Sequence, residues 1–136
     1  MKKMIVITQQ AQEVLQGHGL VIGEFVNRRV LIQQWMEMVY WMGANFHYFP
    51  QHQRFAGEIV AKLCQEITRG DWGEQEIYLF LENVHEFERV DELAELIRKG
   101  KKKSVHVIGL TQDLEWLHPT VRRAFEEHAR IVRLDQ

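Results

Sequence analysis

Short apolar runs alternate with longer stretches in which apolar residues recur every three or four positions. Five runs have the length of strands: residues 4–8 (MIVIT), 20–25 (LVIGEF), 45–49 (NFHYF), 77–83 (IYLFLEN) and 105–111 (VHVIGLT). A sixth, 130–134 (RIVRL), follows the last helical pattern. Three of them are almost unbroken in apolar residues, the pattern of a strand buried on both faces.

The segments between the runs read as helices. Over residues 28–42, Leu31, Trp35, Met38 and Met42 form one stripe, with Ile32, Met36 and Val39 beside it. Apolar residues cover most of that helix, which predicts burial on two sides, in the core or against a partner. Over 52–69, Phe55, Ile59, Val60, Leu63 and Ile67 share one face, and a glycine ends the helix. Over 89–99, Val90, Leu93, Ala94 and Ile97 point inward. There Asp91 and Glu92 at the start and Arg98 and Lys99 at the end complement the helix dipole. A last helix over about 119–129 opens with Pro119. From residue 20 onward the order is strict strand–helix alternation. That predicts parallel β-α-β units, hence a three-layer α/β sandwich with a mainly parallel central sheet. The 4–8 run is then an extra N-terminal strand.

At 136 residues the chain is expected to form a single domain, 1–136. A formal net charge of −2 gives no general case for a nucleic-acid coat or a membrane-surface protein. One cysteine, Cys64, leaves no internal disulfide framework and suits a cytoplasmic location. The apolar run in MKKMIVIT is too short for a signal sequence, and nothing approaches a membrane span.

In open α/β sheets ligands bind beyond the carboxyl ends of the strands. The residues to weigh are therefore Gly23 to Arg29, Pro50 to His52, Glu82 to Glu86, and Thr111 to Asp113. The segment GEFVNRRV (23–30) stands between a strand and a helix, where a phosphate loop of the form G-x-x-x-x-G-K-[ST] would stand. Gly23 is kept. Arg28, Arg29 and Val30 replace the second glycine, the lysine and the hydroxyl residue. Arg29 keeps a charge without the compact ammonium, and Val30 cannot hold Mg²⁺. The competing reading is a plain strand–helix turn. Glu82 could hold a metal shell, whereas Asn83 cannot act as a general base. Gln112 could hydrogen-bond a phosphate or a water. Equally, each could be a solvated strand end.

Taken together, the segments GxxxxRRV, LENVHEF, IRKGKKK and LTQDL…HPTV resemble the HerA/FtsK group of P-loop ATPases, which are DNA-pumping motors with relatives in virus packaging and conjugation. The resemblance covers roughly residues 20–134 and is strongest from 77 onward. His85, Gly100, Gln112 and HPTV match the group's pattern. The Walker A glycine, lysine and hydroxyl residue, the Walker B Asp and Glu, and the arginine after Gly100 do not. The misses fall on chemical positions and the matches on scaffold positions. The resemblance implies a P-loop NTPase-like fold with strand order 5-1-4-3-2, counted from LVIGEF, and a site without ATP hydrolysis.

Three features remain. The cluster RKGKKK, with Lys99, Lys101, Lys102 and Lys103, reads as a nucleic-acid contact or as a solvated helix end. The seven histidines show no zinc-ligand spacing, so no metal site is expected, and Cys64 reads as core rather than nucleophile. Trp35, Met38, Trp41 and Met42 in one helix read as core or as an interface with a protein partner or a second copy. The expectation is a degenerate P-loop NTPase-like binding or assembly module, of a virus or mobile element, without a cofactor. The alternatives are an active NTPase or DNA-translocation subunit, in which Arg29 grips phosphate, Glu82 the metal of Mg-ATP and Gln112 the water, and a nucleic-acid-binding regulator.

Overall fold

The computed structural model describes residues 13–15, 17–23, 28–49, 54–69, 76–100, 102 and 104–133, apart from the side chains at 54, 55 and 68. The elements are β1 (His18–Ile22), α1 (Arg28–Trp41), β2 (Asn45–Phe49), α2 (Arg54–Arg69), β3 (Ile77–Leu81), α3 (Val90–Gly100), β4 (Val105–Thr111), α4 (Pro119–His128) and β5 (Ala129–Arg133). The strands form one five-stranded sheet in the order β2-β3-β4-β1-β5. Every neighbouring pair is parallel. Read from the other edge the order is 5-1-4-3-2, as the resemblance implied. The 4–8 segment lies outside the described residues.

Handedness explains how the helices are shared between the faces. The connection from β1 to β2 runs one way across the sheet, over β4 and β3, and the other three connections run back. Parallel crossovers are right-handed, so the two directions must use opposite faces. Accordingly α1 packs on one face: Leu31, Ile32, Trp35 and Val39 meet Val21, Tyr78, Phe80, Ile108 and Leu110. Helices α2, α3 and α4 pack on the other, where Val60, Leu93, Ile97 and Phe125 meet Leu20, Leu79, Leu81 and Val107. Successive strand residues alternate between the two cores, which is why the strand sequences are apolar at nearly every position.

Several expectations need correction. The first strand ends at Ile22, not Phe25, and begins two residues earlier than LVIGEF because His18 joins it. The His18 Nδ1 accepts the Val107 backbone N–H at 2.9 Å, tying β1 to β4 at their starts. The strand predicted over 77–83 ends at Leu81. Ile59 is exposed rather than inward, and α2 instead buries Ala56, Val60, Leu63, Cys64 and Ile67. Within the single chain the core buries one side of helix α1, and Met36, Tyr40, Trp41 and Met42 are exposed. Gly100 is a packing necessity, since a Cβ there would stand 2.8 Å from the Val105 carbonyl oxygen. That contact closes the turn between α3 and β4.

Candidate functional site

Four strand tips lie side by side at the carboxyl edge of the sheet. The Gly23 N–H donates to the Thr111 carbonyl at 3.1 Å, so β1 and β4 stay paired one residue beyond the strand. The Glu82 N–H donates to the Phe49 carbonyl at 3.0 Å, doing the same for β3 and β2. Gly23 has φ 144°, a conformation that a residue with a Cβ rarely adopts. Residues 24–27, between β1 and α1, and 50–53, beyond β2, lie outside the described residues.

Arg28 is the first residue of α1, and Glu82 stands just past the end of β3. Their side chains form an ion pair, Nη1 to Oε1. The Tyr48 hydroxyl donates to the other carboxylate oxygen, Oε2. Glu82 is 6% exposed and Arg28 33%, so the pair is sheltered on the acid side and reaches water on the base side. The arrangement answers a local problem. Helix α1 has no acidic residue in its first turn and begins with two arginines, both unfavourable next to the positive end of a helix dipole. The Glu82 carboxylate supplies the missing negative charge there. It also holds Tyr48 in the protonated form. Burial first, then the hydrogen bond and the charge of Glu82, push the phenol far above its ordinary value, partly opposed by Arg28.

The β3 and β4 tips are joined by a second group. His85 Nδ1 lies 3.0 Å from Thr111 Oγ1, and that hydroxyl donates to the Asp113 carbonyl at 3.2 Å. With the threonine proton so used, the histidine donates from Nδ1. Its ring packs edge-on against Trp116, centroids 5.0 Å apart. Asn83 opens the intervening 3-10 turn (Val84–Glu86) in the left-handed region, φ 56° and ψ 50°, with no side-chain capping bond.

Of the residues expected to carry chemistry, Gly23, Arg28, Glu82 and Asn83 are brought to the strand-tip edge. Arg29 and Gln112 are exposed, and so is Val30, at the hydroxyl position. The basic cluster lies elsewhere. Helix α3 runs back from the β3 tip, so its end sits at the opposite edge of the sheet, beside the start of β4. Lys99 pairs with Glu95 and Lys102 is exposed. Lys101 and Lys103 lie outside the described residues. Trp35 is fully buried, 4.7 Å from the Phe80 ring, so it belongs to the core and not to an interface. Met38 is half-buried against the same core. Cys64 is buried too, its thiol donating to the Glu92 carbonyl at 2.9 Å. Sequence reasoning missed Tyr48. Its only signal was a phenol in an apolar strand, one residue short of the tip. No group of three or more metal-ligating side chains occurs among the described residues, and no described helix is long and apolar enough to cross a membrane.

Neither a protein-family model nor a curated protein matches the chain. Solved structures do. A RuvB variant from Thermotoga maritima superposes over 98% of this chain and 43% of its own, with a TM-score of 0.56 and 18% identity. A DNA polymerase III gamma subunit-related protein from the same organism covers 98% of this chain and 46% of its own, with a TM-score of 0.64 and 9% identity. The ORC1 protein of Aeropyrum pernix, solved in complex with DNA, covers 98% and 45%, with a TM-score of 0.60 and 11% identity. The chain thus spans less than half the length of each. At these identities the likeness speaks for architecture, and together with the strand order it establishes that the chain has the P-loop NTPase-like fold.

Proposed function

We propose that this chain is a degenerate P-loop NTPase-like domain that does not hydrolyse ATP and serves as a binding or assembly module. The observation that carries the reading is the ion pair between Arg28 and Glu82, completed by Tyr48. In a working site the strand-tip carboxylate serves the Mg²⁺ shell, and the helix start presents backbone N–H groups to phosphate. Here a guanidinium and a phenol take both oxygens of that carboxylate.

The neighbouring positions support the same reading. Val30 offers no oxygen to a metal, Arg29 is turned to solvent, and Asn83 cannot take a proton from water. These residues do not suit a Mg-nucleotide. Losing any one such group typically lowers a rate by orders of magnitude, and here several are lost together. We further assign the chain to the HerA/FtsK-type branch, as an assembly component of a virus or mobile element. His85, Gly100, Gln112 and HPTV support that branch.

The test is calorimetric titration with Mg-ATP. The expected result is no binding heat. Micromolar binding that disappears in Arg29→Ala would refute the reading in favour of an active NTPase with an unusual site.

A further inference from the structure

A second cluster of titratable side chains lies at the edge of the sheet away from the strand tips. His18 opens β1 and is 2% exposed, and His106, near the start of β4, is 7% exposed. Their rings meet edge-on, centroids 6.3 Å apart. His106 also stacks on the Tyr78 ring at 4.5 Å, and its Nε2 lies 3.4 Å from Glu76 Oε1.

The bond from Val107 fixes the protonation of His18. A ring nitrogen that accepts a backbone N–H carries no proton of its own. The Nδ1 of His18 accepts at 2.9 Å, so the ring is neutral, with its proton on Nε2. An imidazolium holds a proton on both nitrogens and would set N–H against N–H. It would also place a charge where almost no water reaches. The bond matters to the sheet. Strands β1 and β4 are both interior, and their paired register begins at Gly19 with Ile108. The His18 side chain fastens the two strands just ahead of that register. Its ring also packs on the turn between α3 and β4, since a Cβ on Gly100 would stand 3.5 Å from its Cε1.

The charged groups around the cluster come from every neighbouring element among the described residues. Glu76, ahead of β3, faces His106, so its carboxylate favours a proton there. That charge would disfavour a second one on His18. Tyr78, from β3, donates its hydroxyl to the Leu15 carbonyl at 2.9 Å and stays neutral in acid. The carboxyl end of α3 favours a cation nearby, and two already stand there: Lys99, paired with Glu95, and the exposed Lys102. Around the starts of β1 and β5, Glu13 and Arg130 answer one another at 3.4 Å, and His128 is exposed.

We propose that His18 is an acid-sensitive fastening, which holds β1 to β4 while its ring is neutral and releases them on acidification. In the unfolded chain an imidazole takes up a proton below about pH 6.5. In the fold the bond to Val107 and the burial of the ring oppose that proton. The opened chain therefore binds more protons than the closed one, and stability falls as pH falls. Through this one ring, each pH unit below about 6 should lower the folding constant by up to about tenfold.

Urea denaturation of the whole chain between about pH 7 and 5 tests it, beside His18→Asn. The asparagine Oδ1 can accept the Val107 N–H and does not titrate. The remaining histidines and the carboxylates are common to both proteins, so the difference between their pH slopes isolates His18. Below about pH 6 the wild type should lose up to about tenfold more of its folding constant per pH unit than the variant. Equal slopes overturn the proposal. Imidazole nitrogen NMR of the wild type reads the ring directly and does not depend on how the variant folds. In the folded protein the His18 Nδ1 should keep the signal of an unprotonated nitrogen across this range, and the Val107 amide should lose its protection from exchange as stability falls. A ring that takes a second proton while the Val107 amide stays protected overturns the proposal.

Discussion

Replacing Arg28 with methionine removes the guanidinium from Glu82 and keeps most of the side-chain volume. The carboxylate left behind is 6% exposed and retains only the Tyr48 hydroxyl as its described partner besides Arg28. Deleting one member of a fully buried pair typically costs about 3–5 kcal/mol, because the other charge stays buried and uncompensated. Arg28 is 33% exposed, so water can approach the vacated position and the cost falls to about 2 kcal/mol. For a chain of this length that is roughly 6–10 °C in Tm. The assay is urea denaturation followed by far-ultraviolet circular dichroism, with Glu82→Gln and the double variant completing a cycle. Glu82→Gln removes the charge that Arg28 answers, so the two losses should overlap by about 1 kcal/mol or more. An Arg28→Met cost within about 0.5 kcal/mol, or strictly additive losses, would refute the claim that the pair fastens α1 to the strand tips.

Two further outcomes follow from burial. The Cys64 thiol is pushed up to about 11 from 9.0 by burial, then by Glu95 and Glu92, and the Tyr78 phenol up to about 12 from 10.0 by burial, then by Glu76. Both groups hold their protons in the fold at a pH where the unfolded chain releases them. Their contribution to stability is therefore complete below about pH 9 and is lost between about pH 9 and 12. Urea midpoints should fall across that window and Cys64→Ala should flatten its lower half; a level profile would contradict the assignment. Separately, Trp35→Ala should cost about 3–5 kcal/mol, whereas Trp41→Ala should stay within about 0.5 kcal/mol in the monomer. Equal losses in urea titrations would mean that α1 packs on a different face.

The sheet was legible because its strands are marked at both ends. Residues 45–49 and 105–111 are read to the residue, the first lying between Gly43-Ala44 and Pro50 and the second between Ser104 and Gln112. The strand order followed from the resemblance, and handedness then distributed the helices. What could not be read was which apolar residues of α1 face the sheet. Trp35, Met36, Met38, Trp41 and Met42 are equally apolar, and only the packed coordinates separate the buried tryptophan from the exposed one. The strand-tip positions could be enumerated from the order of elements. The pairing of side chains there could not, because Arg28 and Glu82 are 54 residues apart and Tyr48 is 34 from Glu82. No local pattern predicts that a base at a helix start will turn onto an acid at a strand tip.

The backbone at Asn83 bears on what the sequence can still become. Its left-handed conformation, φ 56°, is one that asparagine tolerates and most residues adopt at a cost of about 1–2 kcal/mol. A glutamate installed there would inherit that strain and would start from the entry to a 3-10 turn rather than from an extended strand end. Placing an acid there is therefore not one substitution but a rebuilding of the turn. The turn itself, and not the chemistry of the side chain alone, thus filters which residues this position can accept.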